Sequence, residues 1–246
     1  MTTSNTVIGI FLIATISSAL LGLAGCSVGS SEAGEDTTEL RLGHYLLEVP
    51  KKNVMSSNTI PNWLRWLPGL DDGSKSMLFR FQDREVKQHV PGYKYSEDKR
   101  FRDDIEILVM VLTPEEVARY RNPETYSELG KLWRSEGSYK DRKVEPYDEA
   151  GWYKVYRGLE YPNIWALLNR YPDSSKPLPS DPLEFLVAHC VESKPKDGRL
   201  ASCGTYELID DLVIEFDVSD YNIAVINDVR EFLRATVQGW IKKSSI

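Results

Sequence analysis

The chain has 246 residues, of which 41% are hydrophobic and 27% charged, and its 37 acidic against 30 basic side chains leave a net charge of −7. Those proportions are ordinary for a globular protein. The acidic balance supplies no electrostatic basis for binding nucleic acid or for lying on anionic lipid.

From Val7 to Gly25 the sequence is apolar and uncharged, closes with Leu23-Ala24-Gly25-Cys26, and continues as Ser27-Val28-Gly29-Ser30-Ser31. An apolar core ending in small residues marks a secretory signal peptide. Leucine three residues before a cysteine, with small residues between, resembles the lipobox of bacterial lipoproteins. The resemblance implies that residues 1–25 are removed and that Cys26 is acylated as the first residue of the mature chain. One departure from the pattern is that no Lys or Arg lies between Met1 and Val7. The other reading is an uncleaved anchor, since residues 7–25 are about the minimum for a spanning helix. Under both, the remainder is exported and held at a membrane. Ser27, rather than Asp, after the cysteine favours the outer membrane in a Gram-negative source, so a periplasmic, lipid-anchored location is expected. Because residues 1–25 carry no charge, the whole −7 belongs to the mature part, and attachment must come from the acyl chains.

Residues 26–39 are small and polar, with Glu32, Glu35 and Asp36, and read as a flexible tether. A linker of about 13 such residues spans roughly 20 Å. A domain over 40–246 should open with a strand, Leu40–Val49, that stops at Pro50. The segment Pro61 to Gly73 holds Trp63, Trp66, Asp71 and Asp72 between prolines and glycines, which argues against a long helix. Its tryptophans read as a contact surface or as pins that fix a loop to the core. Met77–Phe81 reads as a strand, and 86–104, with both charge signs mixed, as a solvated hairpin or loop. Ile105–Leu112 is the best candidate for a buried strand. Thr113-Pro114-Glu115-Glu116 supplies an N-cap, proline at N1 and glutamate at N3, a capping box. Asn122-Pro123-Glu124 repeats that logic, with Tyr126, Leu129, Leu132 and Trp133 on one helical face. The charged run 134–150 is a candidate subdomain break.

Gly151–Arg157 and Asn163–Tyr171 form an aromatic strand pair, and 172–182, with four prolines, a loop. Glu184–Val191 and Leu200–Leu208 read as strands joined through Pro195-Lys196-Asp197-Gly198. That turn shares its midpoint with Cys190 and Cys203, so a hairpin in this register sets the two thiols opposite each other, within disulfide reach. Closing such a loop is worth about 3 kcal/mol. Along 212–218, Leu212, Ile214, Phe216 and Val218 should point inward and Val213, Glu215 and Asp217 outward. Ser219 is placed to cap a final helix whose stripe is Val225, Ile226, Val229, Phe232, Leu233, Val237, Trp240 and Ile241. The fold class is α+β: antiparallel sheet with a few helices packed on one face, including a C-terminal amphipathic helix.

Chemistry is sparse. The one Gly-x-Ser-x-Gly-like stretch, Gly25 to Gly29, has a cysteine at its second position and lies across the predicted cleavage point, which would cut it apart. No zinc, phosphate-loop or dinucleotide pattern occurs, and no loop has calcium-ligand spacing, so no catalytic residue, metal or cofactor is expected. His44 and His89 read as structural or exposed. His189 does too, because its side chain and that of Cys190 point to opposite faces of a strand and cannot share a metal.

Several features occur together: the lipobox, the acidic tether, a strand running into Val49-Pro50-Lys51-Lys52-Asn53, the Leu67-Pro68-Gly69-Leu70 segment, and a C-terminal cysteine hairpin, strand and helix. In this combination the chain resembles the periplasmic lipoprotein immunity proteins that neutralise type VI secretion lipase effectors. The resemblance implies a non-enzymatic inhibitor whose partner is a toxic phospholipase. Trp63, Trp66, Asp71 and Asp72 are then the first candidates for partner contact, with carboxylates placed to meet the cationic groups that phospholipases use around phosphate. A structural or assembly lipoprotein of the envelope, and an envelope hydrolase, are the alternatives.

Overall fold

The computed structural model describes residues 36–55, 75–95, 103–147, 150–158, 161–192 and 201–242. The domain opens with a hairpin of β1 (Thr37–Leu42) and β2 (Tyr45–Pro50), not with the single strand expected over 40–49. Gly43, at φ 56°, is the reason: glycine reaches positive φ without steric cost, as a two-residue hairpin turn requires. The uniform strand composition on both sides hides that turn from sequence reading.

Next come β3 (Ser76–Phe81), α1 (Asp83–His89) and β4 (Ile105–Val111). Helix α1 replaces the loop expected from 86 onward. Its mixed charges are ordered, with Asp83 and Glu85 in the first turn and Lys87 and His89 in the last, which suits the helix dipole. Its N-terminus is held from a distance, because Asp83 N–H donates to Asp104 Oδ1 at 3.2 Å.

Helix α2 (Pro114–Arg121) carries the expected capping box: Glu116 N–H donates to Thr113 Oγ1 at 3.3 Å and Thr113 N–H to Glu116 Oε2 at 2.8 Å. Asn122 does not open a second helix. Its Oδ1 accepts from Glu124 N–H at 3.0 Å and closes a turn. The chain then passes Ser127 and Glu128 in the left-handed region, and α3 (Leu129–Arg134) begins only there. The expected face survives this shift: Leu129, Leu132 and Trp133 are buried, and Tyr126 packs beside them.

Strands β5 (Val144–Tyr147), β6 (Trp152–Tyr156), β7 (Ile164–Leu168), β8 (Leu186–Val191), β9 (Ser202–Ile209) and β10 (Leu212–Ser219) follow as an antiparallel meander. Strand β10 then pairs back onto β4, so the sheet runs β3-β4-β10-β9-β8-β7-β6-β5. The charged run after Arg134 thus feeds β5 into this same sheet. Ser219 precedes a 3-10 segment, Asp220–Val225, of 6 residues and gives no side-chain cap; α4 (Ile226–Trp240) starts only after that segment.

Both faces of the sheet are covered, where helices on one face were expected. On one face, Ile226, Val229, Leu233, Val237 and Trp240 of α4 pack with Ile107, Val109, Ile214, Phe216 and the β1–β2 hairpin. Trp240 stacks on Phe81 at 5.6 Å between ring centres. On the other face, α2, α3 and the 172–185 loop cover Val155, Ala166, Leu168, Tyr206 and Val213. Val213, expected to point outward, is therefore fully buried. Sequence alternation marks sides of a strand; it does not say which sides have a second layer above them.

Candidate functional site

Cys26, Trp63, Trp66, Asp71 and Asp72 lie outside the described residues. The stems of the tryptophan segment are described, and both lie at β3. Val54 bridges Phe79, and Lys75 C=O accepts from Val111 N–H at 2.8 Å. Cys190 and Cys203 form the expected disulfide and face each other in the β8–β9 register at a Cα separation of 4.1 Å. That close spacing is the one found at non-hydrogen-bonded pairs, where side chains come nearest. A buried bridge of this kind fits an oxidising compartment. His44 is exposed in the hairpin turn, 3.6 Å from Asp211, and His89 stacks on Phe232 at 4.9 Å.

His189 has a different setting. Antiparallel pairing aligns two rows of side chains on the face that carries α2 and α3. One row runs Leu78–Leu108–Glu215–Tyr206 across β3, β4, β10 and β9. In the next, Arg80 pairs with Glu106, and Asp217 with Gly204, which in turn faces His189. Gly204 contributes no side chain, so the second row has a gap between Asp217 and His189. The gap is the floor of a groove of about 200 Å³, lined by Leu78, Glu106, Tyr126, His189, Glu215 and Asp217.

The electrostatics of the groove follow from its depth. Burial, aided by the Arg157 guanidinium, pushes the His189 pKa down to about 4, so the ring is neutral at pH 7. Its Nε2 is buried and has no hydrogen-bond partner among the described residues. Burial pushes the Glu215 carboxyl above its usual range, opposed by a hydrogen bond that its Oε1 accepts from the Tyr120 hydroxyl. Tyr120, Tyr126 and Tyr206 form one cluster behind it, with ring centres 4.7 to 5.4 Å apart. Burial raises all three phenols, so they stay protonated as donors. The Arg80 guanidinium bonds Glu106 at 2.6 Å while its Nε is buried without a partner among the described residues, and Arg157 bonds Glu128 at 2.8 Å, so each neighbouring cation already has a carboxylate. The arrangement offers acceptors and an aromatic wall, chemistry suited to holding a donor-rich group.

Sequence reading missed the groove. Two signals pointed to it: a glycine inside a strand, which often marks close approach of a ligand or another backbone, and the outward carboxylates Glu215 and Asp217. Their adjacency to His189 depends on the pairing of β8, β9 and β10, which no local pattern specifies.

No protein-family model matches the sequence, and neither does any curated protein. Among solved structures, an immunity protein of the Stenotrophomonas maltophilia type IV secretion system aligns over 85% of this chain and 94% of its own, at 13% identity and a TM-score of 0.46. That likeness is too loose to establish a shared fold or a shared role.

Proposed function

We propose that the chain is a non-enzymatic immunity protein of the periplasm, anchored to the outer membrane through Cys26, that binds and inhibits a type VI secretion phospholipase effector. The observation that carries this reading is the lipobox-like Leu23-Ala24-Gly25-Cys26, which joins an export and anchoring signal to an acidic domain closed by the Cys190–Cys203 disulfide. An inhibitor acts by surface complementarity and not by a reactive group. A protective one must hold its target when dilute, which calls for nanomolar affinity, about −12 kcal/mol. Interfaces of that strength concentrate their energy in a few buried aromatic or arginine anchors. Trp63 and Trp66, beside Asp71 and Asp72, provide such anchors next to carboxylates suited to the cationic groups of a phospholipase.

Survival is the test. Cells carrying this chain should withstand a periplasm-directed phospholipase effector that kills cells lacking it. The Asp71→Ala/Asp72→Ala double variant should protect less while keeping the wild-type melting transition. If no phospholipase effector binds the purified mature domain, the reading is wrong. An unaffected double variant removes only the proposed contact residues.

A further inference from the structure

We propose that the groove between Asp217 and His189 receives one arginine side chain of a protein partner; the identity of that partner as the toxin rests on the immunity reading. Size sets the first limit. Sites for drug-sized molecules occupy about 300–1,000 Å³, whereas a cavity of roughly 150 Å³ accommodates a benzene ring. At about 200 Å³ the groove holds a single side chain and not a lipid or a cofactor.

Chemistry narrows the choice. The groove is lined by the carboxyl groups of Glu215 and Asp217, by the ring of Tyr126, and by His189, whose Nε2 is buried and unmatched among the described residues. A buried polar atom without a partner is unfavourable until a ligand supplies one. Glu215 already accepts the Tyr120 hydroxyl through Oε1, and a carboxylate has further acceptor sites. Guanidinium fits this set: it is planar, carries five donors in a fixed fork, and stacks on an aromatic face while its methylene stem lies along apolar walls such as Leu78 and Leu108. An ammonium has three donors on a compact, strongly hydrated head and gains less from an aromatic wall. The sign of the charge agrees, because Arg80 is held by Glu106 on the groove wall, Arg157 is held by Glu128, and the chain as a whole is acidic.

The experiment is an NMR titration of the mature domain with N-acetyl-arginine amide, alongside the lysine and glutamine amides. Arginine amide should shift the His189 and Tyr126 ring signals saturably, with a millimolar dissociation constant. Glutamine amide should leave them in place. Two variants attack the groove in different ways. Glu215→Gln/Asp217→Asn removes its charge, and Gly204→Leu fills it from the floor, where an added Cβ meets only Asp217 Oδ1 at 3.4 Å and more distant backbone. Each should weaken arginine amide by about tenfold or more. Shifts absent from the native domain, or unchanged in a folded Gly204→Leu, overturn the proposal; equal binding of lysine amide overturns the assignment to guanidinium. A phospholipase effector that binds the native domain and Gly204→Leu equally well overturns the groove as a contact and leaves the immunity reading standing. Saturable arginine binding without any effector binding does the reverse.

Discussion

His189 couples burial to pH. With a folded pKa of about 4 against 6.5 for an ordinary imidazole, the native state holds fewer protons than the unfolded chain between those values. Its contribution is therefore fully present above about pH 6.5 and is lost as the pH falls toward 4. A shift of this size corresponds to about 3 kcal/mol at most. Urea midpoints measured from pH 7 to pH 4 should fall for the native protein and fall less steeply for His189→Gln. Parallel curves would show that the ring is solvated. Glu215 acts in the opposite sense: its carboxyl is raised, so the protonated form favours the folded state and stability declines as rising pH ionises it. The two groups face the same groove, and the histidine sets the acid limb.

At the scale of elements, α4 is tied to the sheet by more than its apolar stripe. Glu207 of β9 is almost completely buried beneath it, bonded by Arg234 and 3.8 Å from Arg230 Nε. Arg230 Nη2 also donates to Thr205 Oγ1 at 2.8 Å and to Val187 C=O at 3.2 Å. Truncating one member of a buried ionic set leaves the other charges unmatched, which costs about 3–5 kcal/mol. Glu207→Ala should therefore lower the urea midpoint by that equivalent without changing the slope of the transition. The stripe of α4 was legible in the sequence because its 3.6-residue period was intact. The Cys190–Cys203 register was legible because a turn and two cysteines shared one midpoint. The capping box of α2 was legible as well, since all its partners lie within four residues. Helix α1 was not: its cap, Asp104, lies 21 residues away. The Gly43 turn was lost inside strand-like composition, and Asn122, a sound N-cap by type, closed a turn because Ser127 and Glu128 leave the helical region. The groove was hidden for a related reason, since His189 and Gly204 meet Asp217 only through strand pairing.

For the whole molecule the disulfide is a covalent cross-link between β8 and β9, added to the chain that already joins them. It closes a loop with a sequence separation of 13, for which chain entropy gives about 3 kcal/mol. Cys190→Ser/Cys203→Ser should therefore lower unfolding free energy by about 2–5 kcal/mol, read from denaturant curves, and a non-reduced digest of the native protein should show the two peptides linked. Two free thiols in protein recovered from an oxidising compartment would remove that contribution.

The pairing of β4 with β10 governs when the chain becomes able to fold. Strand β4 ends at Val111, and its second neighbour, Leu212–Ser219, lies about a hundred residues further along. Loop closure over such a span is slow, because the entropy is lost before the contact forms. Until β10 and α4 are present, Ile107 and Val109 lack their covering layer and the edge of β4 that pairs with β10 stays open. Ribosomes deliver a chain from its N-terminus, so these final elements appear last. A nascent chain of this design has no complete core to collapse around until β10 and α4 have been made, so most of its length is delivered before the sheet can close.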